Sequence, residues 1–96
     1  MNVAELLQAI ENTTRNAMKS EHGGTAIRIT TIYRDVLLYL VSKGKLSMAD
    51  DESEFYKYVY KYSPPDLYKV ANHFRKTNGM ELLNYPQPFY HKAEDR

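Results

Sequence analysis

Phe55-Tyr56-Lys57-Tyr58-Val59-Tyr60-Lys61-Tyr62 is the stretch on which the fold class turns. Written as a strand, it places Tyr56, Tyr58, Tyr60 and Tyr62 on one face, and its aromatic and β-branched residues suit a pleated surface. Written as a helix, it groups Phe55, Tyr58, Val59 and Tyr62 toward a core and turns Lys57 and Lys61 to water. The residues just before it favour the helix. Ser47 with Asp50 fits a capping signature, and Asp50, Asp51, Glu52 and Glu54 match the positive end of a helix dipole. No partner strand is obvious. Residues 46–62 are therefore predicted to hold a helix, and the chain to be an all-α bundle of about four helices. The alternative is an α+β fold with a short strand at 25–29 or 55–62.

Immediately downstream, Ser63-Pro64-Pro65-Asp66 is the sharpest local signal. Serine caps, proline suits the first helical position, and aspartate sits near the dipole's positive end. The spacing predicts a helix over 64–77 with Leu67, Val70, Ala71 and Phe74 inward, ended by Asn78-Gly79. Met80 to Tyr85 is predicted as a further turn or an extended piece that returns Met80, Leu82 and Leu83 to the core. Pro86 and Pro88 bar regular structure beyond it.

Upstream, residues 31–43 carry the broadest apolar stripe: Ile32, Tyr33, Val36, Leu37, Leu40 and Val41, with Leu38 and Tyr39 beside it. A helix apolar on so much of its circumference belongs at the centre of a small fold. Lys43-Gly44-Lys45 suits its end. Residues 25–29 are ambiguous between an extended segment and an early helix entry, and His22-Gly23-Gly24 reads as a break. Residues 3–20 form an amphipathic helix through Val3, Leu6, Leu7, Ile10, Ala17 and Met18, with Asn2 and Glu5 as a capping box. Together these give one helical domain over 1–88 and a charged tail over 89–96.

Composition narrows the function classes. Thirteen Lys and Arg against twelve Asp and Glu leave a formal net charge of +1, so no global field draws the chain to nucleic acid or an anionic membrane. The absence of cysteine excludes disulfides, thiol chemistry and Cys-ligated metal, and favours a reducing, cytoplasmic setting. The longest apolar run, Val36 to Val41, is far too short for a membrane span, and no signal-peptide pattern is present.

Catalytic and metal constellations are missing from the pattern. His22, His73 and His91 are scattered with no acid to complete a ligand set. No phosphate loop or nucleophile elbow occurs, and acids 50–54 read as a solvated helix start. The chain is predicted to be no enzyme, with no cofactor, no metal and no small-molecule substrate.

Two surfaces stand out instead. Nine tyrosines are more than a 96-residue core can hide, and exposed Tyr interleaved with Lys suits a protein interface. Tyr56, Tyr60, Tyr68, Tyr85 and Tyr90 are the predicted contacts of a small adaptor, modulator or inhibitor docking on a larger protein. The alternative is a helix-turn-helix-like regulator. With the apolar face of 64–77 inward, Tyr68, Lys69, Asn72, Arg75 and Lys76 point outward. Lys69, Asn72, Arg75 and Lys76 are of the types that contact bases and phosphates.

Overall fold

Four helices form among the described residues, each with identifiable end signals. The structure, a computed structural model, describes residues 1–84. They are α1 (Val3–Met18), α2 (Gly24–Ser42), α3 (Glu52–Lys61) and α4 (Pro64–Thr77). The all-α bundle is the observed fold, with no named strand among the described residues. The outer part of the 1–88 domain and the 89–96 tail lie outside the described residues.

α1 starts on the predicted capping box. Glu5 N–H donates to the Asn2 side chain at 2.8 Å, and Asn2 N–H to the Glu5 carboxylate at 2.9 Å. Two further first-turn amides find carbonyls across space: Val3 N–H donates to Asp50 O at 2.8 Å and Ala4 N–H to Met48 O at 3.0 Å. The 48–50 segment thus satisfies donors that a free helix start leaves to water. At the other end α1 stops at Met18, which is 68% exposed and not part of the buried face.

Residues 25–29 are the opening turns of α2, which settles their ambiguity as helix. Ile27 N–H donates to Gly23 O at 2.9 Å, closing the first turn. The Thr30 hydroxyl bonds back to Ala26 O and Ile27 O and meets the Thr14 hydroxyl of α1 at 2.7 Å. That tertiary link outweighs the extended preference of Ile27 and Ile29. α2 packs against both α1 and α4, the central role its wide stripe implies. Ile32, Val36, Leu37 and Leu40 are fully buried.

α2 and α4 end in the same way. Lys45 N–H reaches back to Leu40 O and Gly44 N–H to Val41 O; Met80 N–H reaches Arg75 O and Gly79 N–H Lys76 O. These are Schellman motifs, which need a left-handed residue, supplied by Gly44 at φ 71° and Gly79 at φ 69°.

The stretch 55–62 is helical in α3 up to Lys61, with Phe55 and Val59 buried, Tyr58 and Tyr62 half-buried, and Lys57 and Lys61 exposed. Its cap lies four residues later than the Ser47–Asp50 signature implied. Asp50 accepts from Ser47 N–H at 2.8 Å in a separate turn, and Asp51 caps α3 by accepting from Ser53 N–H at 3.0 Å.

α4 follows its signal closely. Ser63 accepts from Asp66 N–H at 3.3 Å, with proline at the first two positions. Ser63→Ala is expected to lower unfolding free energy by about 1 kcal/mol, read as a lower urea midpoint at constant m. Leu67 and Ala71 are buried, while Val70 and Phe74 are only partly so. After Gly79 the chain runs back without regular structure. Leu83 re-enters the core, but Met80 and Leu82 stay 37% and 50% exposed.

Candidate binding surfaces

Helical spacing places Tyr56 and Tyr60 one turn apart on α3, and Tyr33 approaches Phe55 from α2. The rings form a continuous ladder. Tyr33 meets Phe55 edge-on at 6.2 Å between centroids, Phe55 lies 5.4 Å from Tyr56, and Tyr56 stacks on Tyr60 at 6.1 Å and 24°. The ladder begins at a fully buried Phe55 and ends at Tyr60, which is 81% exposed. Each such pair contributes about 0.5–1.5 kcal/mol beyond area burial. The outermost ring is therefore held by the ones beneath it.

Burial pushes the Tyr33 hydroxyl above its usual range, with the Tyr60 hydroxyl adding to the shift. Burial does the same for Tyr56, helped by the Glu52 carboxylate and by Tyr33 and Tyr60. Both stay neutral donors near pH 7. A raised folded-state value means that stability is complete below the unfolded tyrosine value of about 10 and falls as pH rises through the folded values. Thermal melts should be insensitive to these two groups up to about pH 9.5 and drop above pH 10. Tyr33→Phe with Tyr56→Phe should flatten that drop.

The other predicted tyrosines behave differently. Tyr68 is half-buried, and its hydroxyl donates to Leu83 O at 3.0 Å, so it faces the returning chain rather than open solvent. Tyr85 and Tyr90 lie outside the described residues.

The outward face expected on α4 is also revised. Lys69 and Lys76 are exposed. Asn72 and Arg75 are engaged within the fold. Asn72 accepts from Leu83 N–H at 2.7 Å and donates to Leu83 O at 3.3 Å. Arg75 donates through Nε to Asp35 at 2.5 Å and through Nη1 to Glu81 O at 3.0 Å. The reason is the turn at Gly79, which folds residues 81–84 onto this face. Sequence spacing alone cannot reveal a strap that comes from beyond the helix.

Asp35 is the residue that sequence pattern did not single out. It is a fully buried carboxylate, paired with Arg75 of α4 and, at 3.2 Å, with Arg34. Its signal was an acid between Ile32 and Val36 within the most apolar stripe of the chain.

The acids of 50–54 are each engaged locally. Asp50 closes a turn, Asp51 caps α3, Glu52 pairs with the Met1 amino group at 3.2 Å, and Glu54 pairs with Lys57 at 3.2 Å. His73 lies edge-on to Tyr39 at 5.8 Å, His22 is exposed, and His91 lies outside the described residues. Among the described residues no set of three His, Asp or Glu is placed to hold a metal ion. An open cleft of about 250 Å³ between α1 and α2 is lined by Glu11, Thr14, Arg15, Thr31 and Arg34. Its Thr14 hydroxyl is engaged with Ile10 O and Thr30. No helix of the described residues is long and apolar enough to cross a membrane.

Comparison of the chain with protein-family models, with curated proteins and with solved structures finds no match in any of the three.

Proposed function

We propose that this chain is a small non-catalytic binding protein, an adaptor, modulator or inhibitor that docks on a larger protein through the aromatic ladder ending at Tyr60. The observation that carries the reading is an exposed ring already ordered by its neighbours, Tyr60 stacked on Tyr56 above buried Phe55. An anchor ordered before binding loses less side-chain entropy on association, and Tyr is among the residues enriched where interfaces concentrate their energy. The lack of cysteine suits action in a reducing compartment such as the cytoplasm. The nucleic-acid alternative draws less support, since two of its four contacts, Asn72 and Arg75, are engaged inside the fold.

The test is site-specific photocrosslinking in the native cell. A photoreactive phenylalanine derivative is placed at exposed Lys57, near Tyr60 on α3, and separately at exposed Lys69 of α4. A defined protein adduct is expected from position 57 and not from 69, resistant to nuclease. Tyr60→Ser should reduce its yield at least ~10-fold, since truncating a tyrosine anchor costs roughly 2 kcal/mol or more. Tyr60→Phe should keep most of it. An adduct indifferent to Tyr60→Ser, or one that disappears with nuclease, refutes the assignment.

A further inference from the structure

Three side chains of α4, Tyr68, Asn72 and Arg75, converge on residues 81–84 through four hydrogen bonds to main-chain atoms of Glu81 and Leu83. Asn72 takes both polar groups of Leu83, its N–H at 2.7 Å and its carbonyl at 3.3 Å. Tyr68 donates to the same carbonyl at 3.0 Å, and Arg75 to Glu81 O at 3.0 Å. Only one side chain of the segment is swallowed: Leu83 is 8% exposed, whereas Glu81, Leu82 and Asn84 face outward. The segment has no regular secondary structure and hangs from the left-handed Gly79. A face that reads backbone amides and one leucine is tolerant of the other residues in whatever lies on it. That is how extended peptides are commonly recognised: main-chain bonds give affinity and a pocket gives selectivity.

We propose that this face of α4 is a binding site for an extended peptide carrying one leucine-sized apolar residue, filled here by the chain's own residues 81–84. A peptide of that chemistry from another protein competes with the tethered segment for Tyr68, Asn72, Arg75 and the Leu83 pocket. The tether supplies the resident segment at an effective concentration on the order of millimolar, so a free peptide enters only when its own concentration or affinity exceeds that level. The site shares no residue with the Tyr60 ladder and stands or falls separately from it.

Two measurements on the full chain test this. The first is amide hydrogen exchange of the wild type. The Leu83 amide, held by Asn72, is expected to exchange at least ~100-fold faster than the core amides of α4 at Ala71 and Val70, because the strap opens without global unfolding. The second is an NMR titration with the capped hexapeptide Gly-Met-Glu-Leu-Leu-Asn, copied from residues 79–84. Leu83→Ser, which weakens the resident segment, should bind it saturably with shifts at Asn72 and Tyr68. Wild type should require at least ~10-fold more peptide, by the same effective-concentration argument. Adding Asn72→Ala to Leu83→Ser, or changing the peptide's second leucine to aspartate, should abolish the shifts. Exchange of Leu83 only at the global unfolding rate overturns the proposal, as does a Leu83→Ser chain that is unfolded at 25 °C. Either would make the segment a fixed part of the core. A folded Leu83→Ser chain that ignores the peptide overturns it equally.

Discussion

Asp35→Ala is expected to unfold much of the protein at 37 °C, lowering unfolding free energy by about 3–5 kcal/mol. The carboxylate is fully buried, and its principal partner Arg75 has a side chain only 14% exposed. Removing the acid leaves a guanidinium in the interior without its counter-charge, the costly way to break such a pair. A domain of this length holds in total about 5–14 kcal/mol, so the loss takes a large share. Arg34 suffers less, since its side chain is 32% exposed against 14% for Arg75. Urea denaturation followed by circular dichroism reads the effect as a lower midpoint at unchanged m. Replacing both members together, Asp35→Leu with Arg75→Met, should recover most of the lost stability. Well-packed apolar side chains avoid the desolvation that a buried pair only partly repays. A loss below about 1 kcal/mol for Asp35→Ala, the range of an exposed pair, would mean that the carboxylate is reached by water.

That pair also marks the limit of what the sequence discloses. Local signals are legible because they act over three or four residues. The Asn2–Glu5 box, the Ser63-Pro64-Pro65 start, the glycine ends and the acids ahead of Phe55 each specify a helix boundary to within a residue or two. They decide correctly against a strand at 55–62. Where the pattern errs, a distant group intervenes. The opening of α2 is ambiguous in sequence because Thr30 finds its partner in Thr14, sixteen residues away. The polar face of α4 reads as solvent-facing because Asp35 lies forty residues from Arg75 and Leu83 eleven from Asn72. Lys69, Asn72, Arg75 and Lys76 form a plausible nucleic-acid row by spacing alone, and only the three-dimensional path of 79–84 divides them into two engaged and two exposed residues. The aromatic ladder is half legible. Tyr56 and Tyr60 share a helix face by number, but the contribution of Tyr33 from α2 and the degree of exposure of Tyr60 are tertiary facts.

The pair Gly23-Gly24 reads in sequence as one chain break, and the structure separates its members so sharply that adjacent substitutions should act in opposite directions. Gly23 has φ −84°, a conformation open to any residue, so its need for glycine is steric rather than conformational. A Cβ there would lie 1.9 Å from Ala17 O and 2.7 Å from Ala17 C. Those atoms are backbone in the last turn of α1, and Ala17 O is held in place by Ser20 N–H at 3.1 Å. No rotamer change relieves the clash; the end of α1 and the start of α2 must part. Parting them strains the Thr14–Thr30 contact and uncovers Ala17. Gly23→Ala is therefore expected to cost at least the usual about 1–3 kcal/mol of overpacking. At Gly24 a Cβ meets nothing within 4 Å, and the residue already belongs to α2. There alanine removes backbone freedom from the unfolded chain and stabilises by up to about 1 kcal/mol. Differential melts should separate the two single variants by roughly 8 °C or more, given about 4–8 °C per kcal/mol for a domain of this size. Equal shifts in the same direction would mean that α1 and α2 do not approach this closely. The hinge between the two longest helices would then be an open turn, as the bare Gly-Gly pattern implies.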